Sequence, residues 1–156
     1  MRCALGFSED IQTILDYLHF WNWAPDWAVV RDIYASFPES YSVLTPFAYT
    51  YLEELVRSRT TGYGMSNPTD KNGNIRGHGT GQSLFNLAKK ENADDAAFVT
   101  LVGELYDKYY SFSGEFDRGN NRNSTMHGYM HPRYWTKESF EDLIHDIAML
   151  SPHSGF

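Results

Sequence analysis

Residues 93–112 read ADDAAFVTLVGELYDKYYSF, and their spacing decides the fold class. Ala97, Phe98, Leu101, Val102, Leu105 and Tyr109 recur at intervals that place one apolar stripe along a helix. Outward from this segment the same period returns. Thr136 is a cap for KESFEDLIHDIAMLS, in which Phe140, Leu143, Ile144, Ile147 and Ala148 face inward and which Pro152 stops. SLFNLAKKE, residues 83–91, reads as a shorter helix. Thr45 and Pro46 form an N-cap and first-turn pair for FAYTYLEELVRS, whose buried side carries Phe47, Tyr51 and Leu55, with Ala48, Leu52 and Val56 beside them. Ser8 caps EDIQTILDYLHF, with Ile11, Ile14, Leu15 and Leu18 on one stripe, and Asp26 after Pro25 starts WAVVRDIYASF, which Pro38 closes. No segment sustains a two-residue alternation. The expectation is an all-α bundle of about five to seven helices, one domain over residues 1–156, with the helix at 95–112 at its centre.

Two regions break the pattern. TTGYGMSNPTDKNGNIRGHGTGQ, residues 60–82, is rich in Gly, Asn, Pro and Thr and reads as a mobile loop between helices. RGHGTGQ within it lacks both the G-x-x-x-x-G-K-[ST] spacing and a preceding strand, so a phosphate cradle is a weak reading. Arg76 and His78 could still reach a ligand bound nearby. FWNWAPDW, residues 20–27, sets Trp21, Trp23 and Trp27 at a helix–helix corner, where aromatics serve the core more often than they stack on bases.

The chain has 156 residues, 42% of them hydrophobic and 16% aromatic, which is a composition that folds. No apolar run approaches the roughly 18 residues of a membrane span. Glu9 and Asp10 interrupt any secretory h-region in MRCALGFSEDIQ. Cys3 is the single cysteine, so no internal disulfide forms. A cytoplasmic protein with no membrane partner is expected.

The net charge is −7, the wrong sign for a generic nucleic-acid coat. The charge is uneven, however. Residues 117–137 hold four cations, Arg118, Arg122, Arg133 and Lys137, against Asp117 alone, a local balance of +3 that leaves −10 for the rest. Inside this window lies NNRNSTMHGYMHP, residues 120–132. His127 and His131 have the i, i+4 spacing of two metal ligands, but the glutamate of H-E-x-x-H is missing, and Pro132 biases His131 out of a helix. Cys3 and the serines lack a nucleophile setting, and no carboxylate pair stands out for glycoside chemistry. No metal or other cofactor is called for.

RNA cleavage by 2′-hydroxyl attack suits the residues better. It needs a proton-transfer group near neutral pH, and imidazole titrates at about 6.5. It also needs a fixed cation for the charge that builds on the phosphorane, which the planar fork of arginine supplies. In a helix, Asn123 and His127 are i, i+4 neighbours, so Asn123 could orient the imidazole. Arg122 precedes His127 by five residues, about 140° away on an ideal helix. Either Arg122 sits on a distorted first turn or two copies share a site.

NRNSTMHG, residues 121–128, resembles the R-polar-x-x-x-H motif of the HEPN superfamily, in the form with Asn before the Arg and Gly after the His. The resemblance covers residues 40–151 or so; residues 1–39 match nothing. It implies an all-α bundle acting as a metal-independent endoribonuclease, in a toxin–antitoxin or phage-defence setting, whose site forms where two motifs meet across a homodimer. Arg122 and His127 are then catalytic, with Asn123 and Asn121 in support. FAYTYLEELVRS resembles a helix that carries a Glu and an Arg near the site, matching Glu53 or Glu54 and Arg57. Arg118, Arg133 and Lys137 are the cations left to contact RNA, and an antitoxin or other regulatory protein is an implied partner. HEPN members that only bind RNA or dock proteins form the alternative, and the acidic chain fits them.

Overall fold

In a computed structural model that describes residues 4–18, 22–111 and 116–156, the chain is all α. Among the described residues there are seven α-helices: α1 (Ala4–Asp16), α2 (Ala24–Ser36), α3 (Tyr41–Ser58), α4 (Gly81–Glu91), α5 (Ala96–Tyr109), α6 (Arg122–Met126) and α7 (Lys137–Leu150). Short 3₁₀ turns at Pro38–Ser40, Pro132–Tyr134 and Ser151–His153 link or end them. The described residues contain no strand, and the 60–82 segment holds a single bridge between Thr69 and Ile75. None of these helices is long and apolar enough to cross a membrane.

The centre is α3, not the 95–112 helix. It packs against α7, α4 and α6 and buries Ala48, Tyr49, Tyr51, Leu52, Leu55 and Val56. Tyr49 and Glu53, which the stripe reading left out, are buried as well, because a helix with neighbours on several sides has no single solvent face. Nor does α3 start at Thr45. The turn at Pro38–Ser40 leads straight into it, Ser40 and Tyr41 stay in right-handed geometry, and Pro46 lies inside the helix. Thr45 donates its hydroxyl back to the Tyr41 carbonyl at 2.7 Å instead of capping.

α1 likewise begins before Ser8, which is exposed and caps nothing. The reason is tertiary: Phe7 packs on Tyr34 and Phe140, with ring centroids 4.4 and 6.0 Å away, and draws the first turn onto the core. α2 begins two residues before Asp26, with Pro25 in its first turn, and ends at Ser36 ahead of Pro38. In α5, Phe98, Val102, Leu105 and Tyr109 are buried and Leu101 is half-buried, whereas Ala97 is exposed. Ala97 lies about 100° around the helix from Phe98, just off the apolar face. Asp95 caps α5 by accepting from the Phe98 amide at 3.1 Å, and Thr136 caps α7 by accepting from Ser139 at 3.2 Å. Phe140, Leu143, Ile144, Ile147 and Ala148 are all buried.

The tryptophan corner belongs to the core. Trp27 is fully buried and meets Tyr51 and Phe47 edge-on at 5.0 and 5.4 Å, while Trp23 meets the same two rings from the side. Trp21 lies outside the described residues.

The Gly-rich loop is tied down at several points. Asp70 accepts from the Asn72 and Asn74 amides, Arg76 donates to the carbonyls of Thr61 and Thr69, and Arg57 reaches up from α3 to the Gly79 carbonyl at 3.2 Å. Gly62 shows why the loop needs glycine. Its φ is +85°, and a Cβ there would sit 3.0 Å from that of Pro68.

Candidate functional site

The motif forms its own small helix. Asn121 is the N-cap of α6: its Oδ1 accepts from the Ser124 amide at 3.0 Å, and its Nδ2 donates to the Ser111 carbonyl at 2.9 Å. One buried side chain thus starts α6 and ties it to the end of α5. The preceding residues are also pinned. Tyr49 donates to the Gly119 carbonyl at 2.9 Å, and Gly119 (φ +88°) lies so close to Trp135 that a Cβ would come within 3.0 Å of its side chain.

The other end is a Schellman motif. The Tyr129 amide donates to the Ser124 carbonyl at 2.9 Å and the Gly128 amide to that of Thr125 at 3.4 Å. Gly128 takes the left-handed position with φ +66°. The glycine after the histidine therefore serves the backbone, and His127 becomes the C-cap residue.

Arg122, at the first position of α6, points back into the bundle. Its Nη2 lies 2.8 Å from Glu53 Oε1 on α3, and its guanidinium lies 5.7 Å from the centroid of the Tyr110 ring. The Tyr110 hydroxyl donates to the same Glu53 oxygen at 3.2 Å. Arg57, one turn along α3, approaches the other Glu53 oxygen at 3.7 Å and pairs with Glu54 at 2.6 Å. Two arginines and two glutamates thus balance at the junction of α3, α5 and α6. The Glu53 side chain is only 7% exposed, and that of Arg122 16%. Burial, and next the Glu53 carboxylate, raise the Tyr110 phenol well above its ordinary range, so it acts as a donor.

Of the two glutamates read from the sequence, Glu53 is the partner of Arg122; Glu54 pairs with Arg57. Asn123 does not orient His127. Its amide donates to the Tyr110 carbonyl at 3.2 Å, and its Oδ1 lies 3.4 Å from Arg122 Nη1. With α6 only five residues long, the space beside Asn123 is filled by the end of α5. His127 is exposed, and among the described residues its ring has no hydrogen-bond partner.

His131 is extended (ψ 138°), so the helical i, i+4 pair with His127 does not form. Its Nδ1 accepts from Arg133, from the amide at 3.1 Å and from Nε at 3.2 Å. No group of three His, Cys, Asp or Glu among the described residues has metal-binding spacing. Arg118 is exposed, and Arg133 lies 5.8 Å from the Tyr134 ring centroid. Lys137 lies elsewhere, 3.7 Å from Glu141 and 5.9 Å from the Tyr34 ring centroid, so it belongs to the α2–α7 side. Beside His127 in the chain, Met126 and Tyr129 are exposed, the latter at 84%, and Phe116 and Tyr134 are exposed as well. Phe116 and Tyr134 meet edge-on at 4.8 Å.

Tyr110 was not legible as a site residue. It follows Tyr109 in an apolar stripe, and its ring packs on Phe85 and Tyr106 like a core residue; only the fold brings Glu53 to its hydroxyl and Arg122 to its ring. No protein-family model, curated protein or solved structure matches the chain.

Proposed function

We propose that this chain is an endoribonuclease of HEPN type with an HEPN-like bundle, acting as a homodimer in a toxin–antitoxin or phage-defence setting. The observation that carries the reading is the division of labour on α6. The buried Glu53 carboxylate, itself bonded by Tyr110, holds the guanidinium of Arg122, while the imidazole of His127 is exposed at the other end. Preorganised charge and an accessible proton-transfer group are what cleavage by 2′-hydroxyl attack requires. His127 takes or returns the proton, Arg122 neutralises the phosphorane, and the products carry a 2′,3′-cyclic phosphate and a 5′-hydroxyl. The two groups leave the helix in different directions, so the Arg122 of one copy and the His127 of another meet across a two-fold axis. Phe116, Met126 and Tyr129 supply apolar surface for that contact. An antitoxin or regulatory protein would cover the same face.

The test is incubation of single-stranded RNA with the purified chain in EDTA. Metal-free cleavage with cyclic-phosphate ends is the expected result; cleavage that chelator abolishes would overturn the reading.

A second reading has its own support. The Arg122 guanidinium is engaged by Glu53, and the chain is acidic, which fits an HEPN-like module that binds RNA or a protein without cutting. RNA binding without cleavage would decide for it. If phosphates carry that binding, the affinity falls with a log–log salt slope of about −0.7 per contact. Arg118→Ala and Arg133→Ala should then each flatten the slope by about 0.7. Lys137→Ala should change it less, given its place against Tyr34 and Glu141.

A further inference from the structure

Beneath the Gly-rich loop is a cleft of about 360 Å³, a small-molecule size, lined by Glu54, Arg57, Tyr63, Met65, Ser66 and His78. No motif residue lines it, but two ion pairs connect its wall to Arg122. Arg57 forms part of its wall and also approaches the Glu53 carboxylate that holds Arg122. The charges here are already matched: Arg57 pairs with Glu54 at 2.6 Å. Burial, and next Glu54, push Tyr63 up to about 12, so its phenol is neutral at physiological pH. His78 is held at the rim, with Nε2 3.2 Å from the Ser66 carbonyl.

A cleft with compensated charge gives no advantage to a bare phosphate. It offers two aromatic rings, a thioether, a carboxylate acceptor, a guanidinium and a hydroxyl. This lining suits a flat, neutral group that bears both donors and acceptors. Resting on the ribonuclease reading, we infer that this cleft receives one unstacked nucleobase of the substrate RNA and thereby places the neighbouring phosphate at Arg122. Arg57 joins the two, since its guanidinium and that of Arg122 flank one carboxylate. The loop carries none of the motif residues, and base binding gives it a role. Gly62 supplies the turn that brings Tyr63, Ser66 and His78 over α3.

The experiment uses the whole chain and adenosine, guanosine, cytidine and uridine as probes, titrated by calorimetry. At least one nucleoside should bind with a Kd below about 1 mM. His78→Ala should weaken it by about tenfold, the scale of one lost stacking partner. Met65→Trp, which fills the cleft, should abolish it. Both positions are exposed, and unchanged thermal midpoints confirm that the fold persists. A short single-stranded RNA should compete with the nucleoside. Absence of nucleoside binding, or binding indifferent to both substitutions, overturns the inference. So does binding at the cleft without competition from RNA, which would mark a site for a free nucleoside. His127 does not line the cleft, so His127→Ala should leave nucleoside affinity intact. Loss of RNA cleavage in that variant therefore tests the ribonuclease reading separately.

Discussion

Glu53 and Arg122 form a largely buried ion pair at 2.8 Å that joins the C-terminal third of α3 to the first residue of α6. Sixty-nine positions separate them in the chain, and the pair is a direct side-chain link between the motif helix and the central helix. Its neighbours are Tyr110 and Arg57, so the carboxylate serves three donors at once.

The two partners of this pair are not equally replaceable: Glu53 has Tyr110 and Arg57 beside it as well, whereas Glu53 is the carboxylate that meets Arg122. Glu53→Ala is expected to cost about 3 kcal/mol, because the largely buried Arg122 guanidinium then loses its carboxylate. Arg122→Ala should cost less, since Arg57 and Tyr110 remain for the glutamate. The double variant should fall short of the sum by about 1 kcal/mol or more. Urea unfolding of the four proteins measures this; strict additivity would mean that the pair does not couple.

Cleavage should divide along the motif. His127→Ala is expected to lower the rate by about 10²–10⁴-fold without altering the thermal midpoint, because the ring is exposed. Arg122→Lys should restore little of the activity lost in Arg122→Ala, since an ammonium cannot span both Glu53 and a phosphate. His131→Ala should matter little, as its ring nitrogen is occupied by Arg133. An activity that survives Arg122→Ala and disappears with His131→Ala would place the chemistry elsewhere.

The ends of α6 give a separate stability readout. Gly128→Ala should cost about 1 kcal/mol, because the open space around it leaves only the left-handed backbone to object. Gly128→Asn should cost less. Asn121→Ala should cost about 2 kcal/mol, the upper range for a cap, since it also orphans the Ser111 carbonyl. Equal midpoints for the glycine and alanine forms would contradict the Schellman assignment.

Alkaline pH should unfold the chain cooperatively. Burial raises the phenols of Tyr34, Tyr49, Tyr51, Tyr109 and Tyr110 far above their usual value, and Tyr63 to about 12. Unfolded tyrosine ionises at about pH 10. The fold therefore keeps protons that the unfolded chain releases. This contribution is fully present below about pH 10 and is lost as the pH climbs past it. Tyrosinate absorbance from these rings should appear together with loss of helical circular dichroism. Full ionisation while the helices persist would show that the rings are accessible.

The sequence alone determined the fold class and most of its elements. Phe98, Val102, Leu105 and Tyr109 mark one face of α5, and Thr136 and Pro152 bracket α7, because periodicity and caps are local properties of the backbone. It also singled out Arg122 and His127 by residue type and spacing, and offered Glu53 or Glu54 as the acidic neighbour. Only the tertiary structure decided which glutamate meets Arg122, since adjacent residues on a helix point about 100° apart and the choice depends on where α6 comes to rest. It moved Asn123 from His127 to the Tyr110 carbonyl, set Tyr110 beside the arginine and turned Lys137 toward α2. It also made α3 the central helix and carried α1 past Ser8 to meet Tyr34 and Phe140. Each of these depends on a contact between segments far apart in the chain, and no local pattern of side chains encodes such a contact by itself.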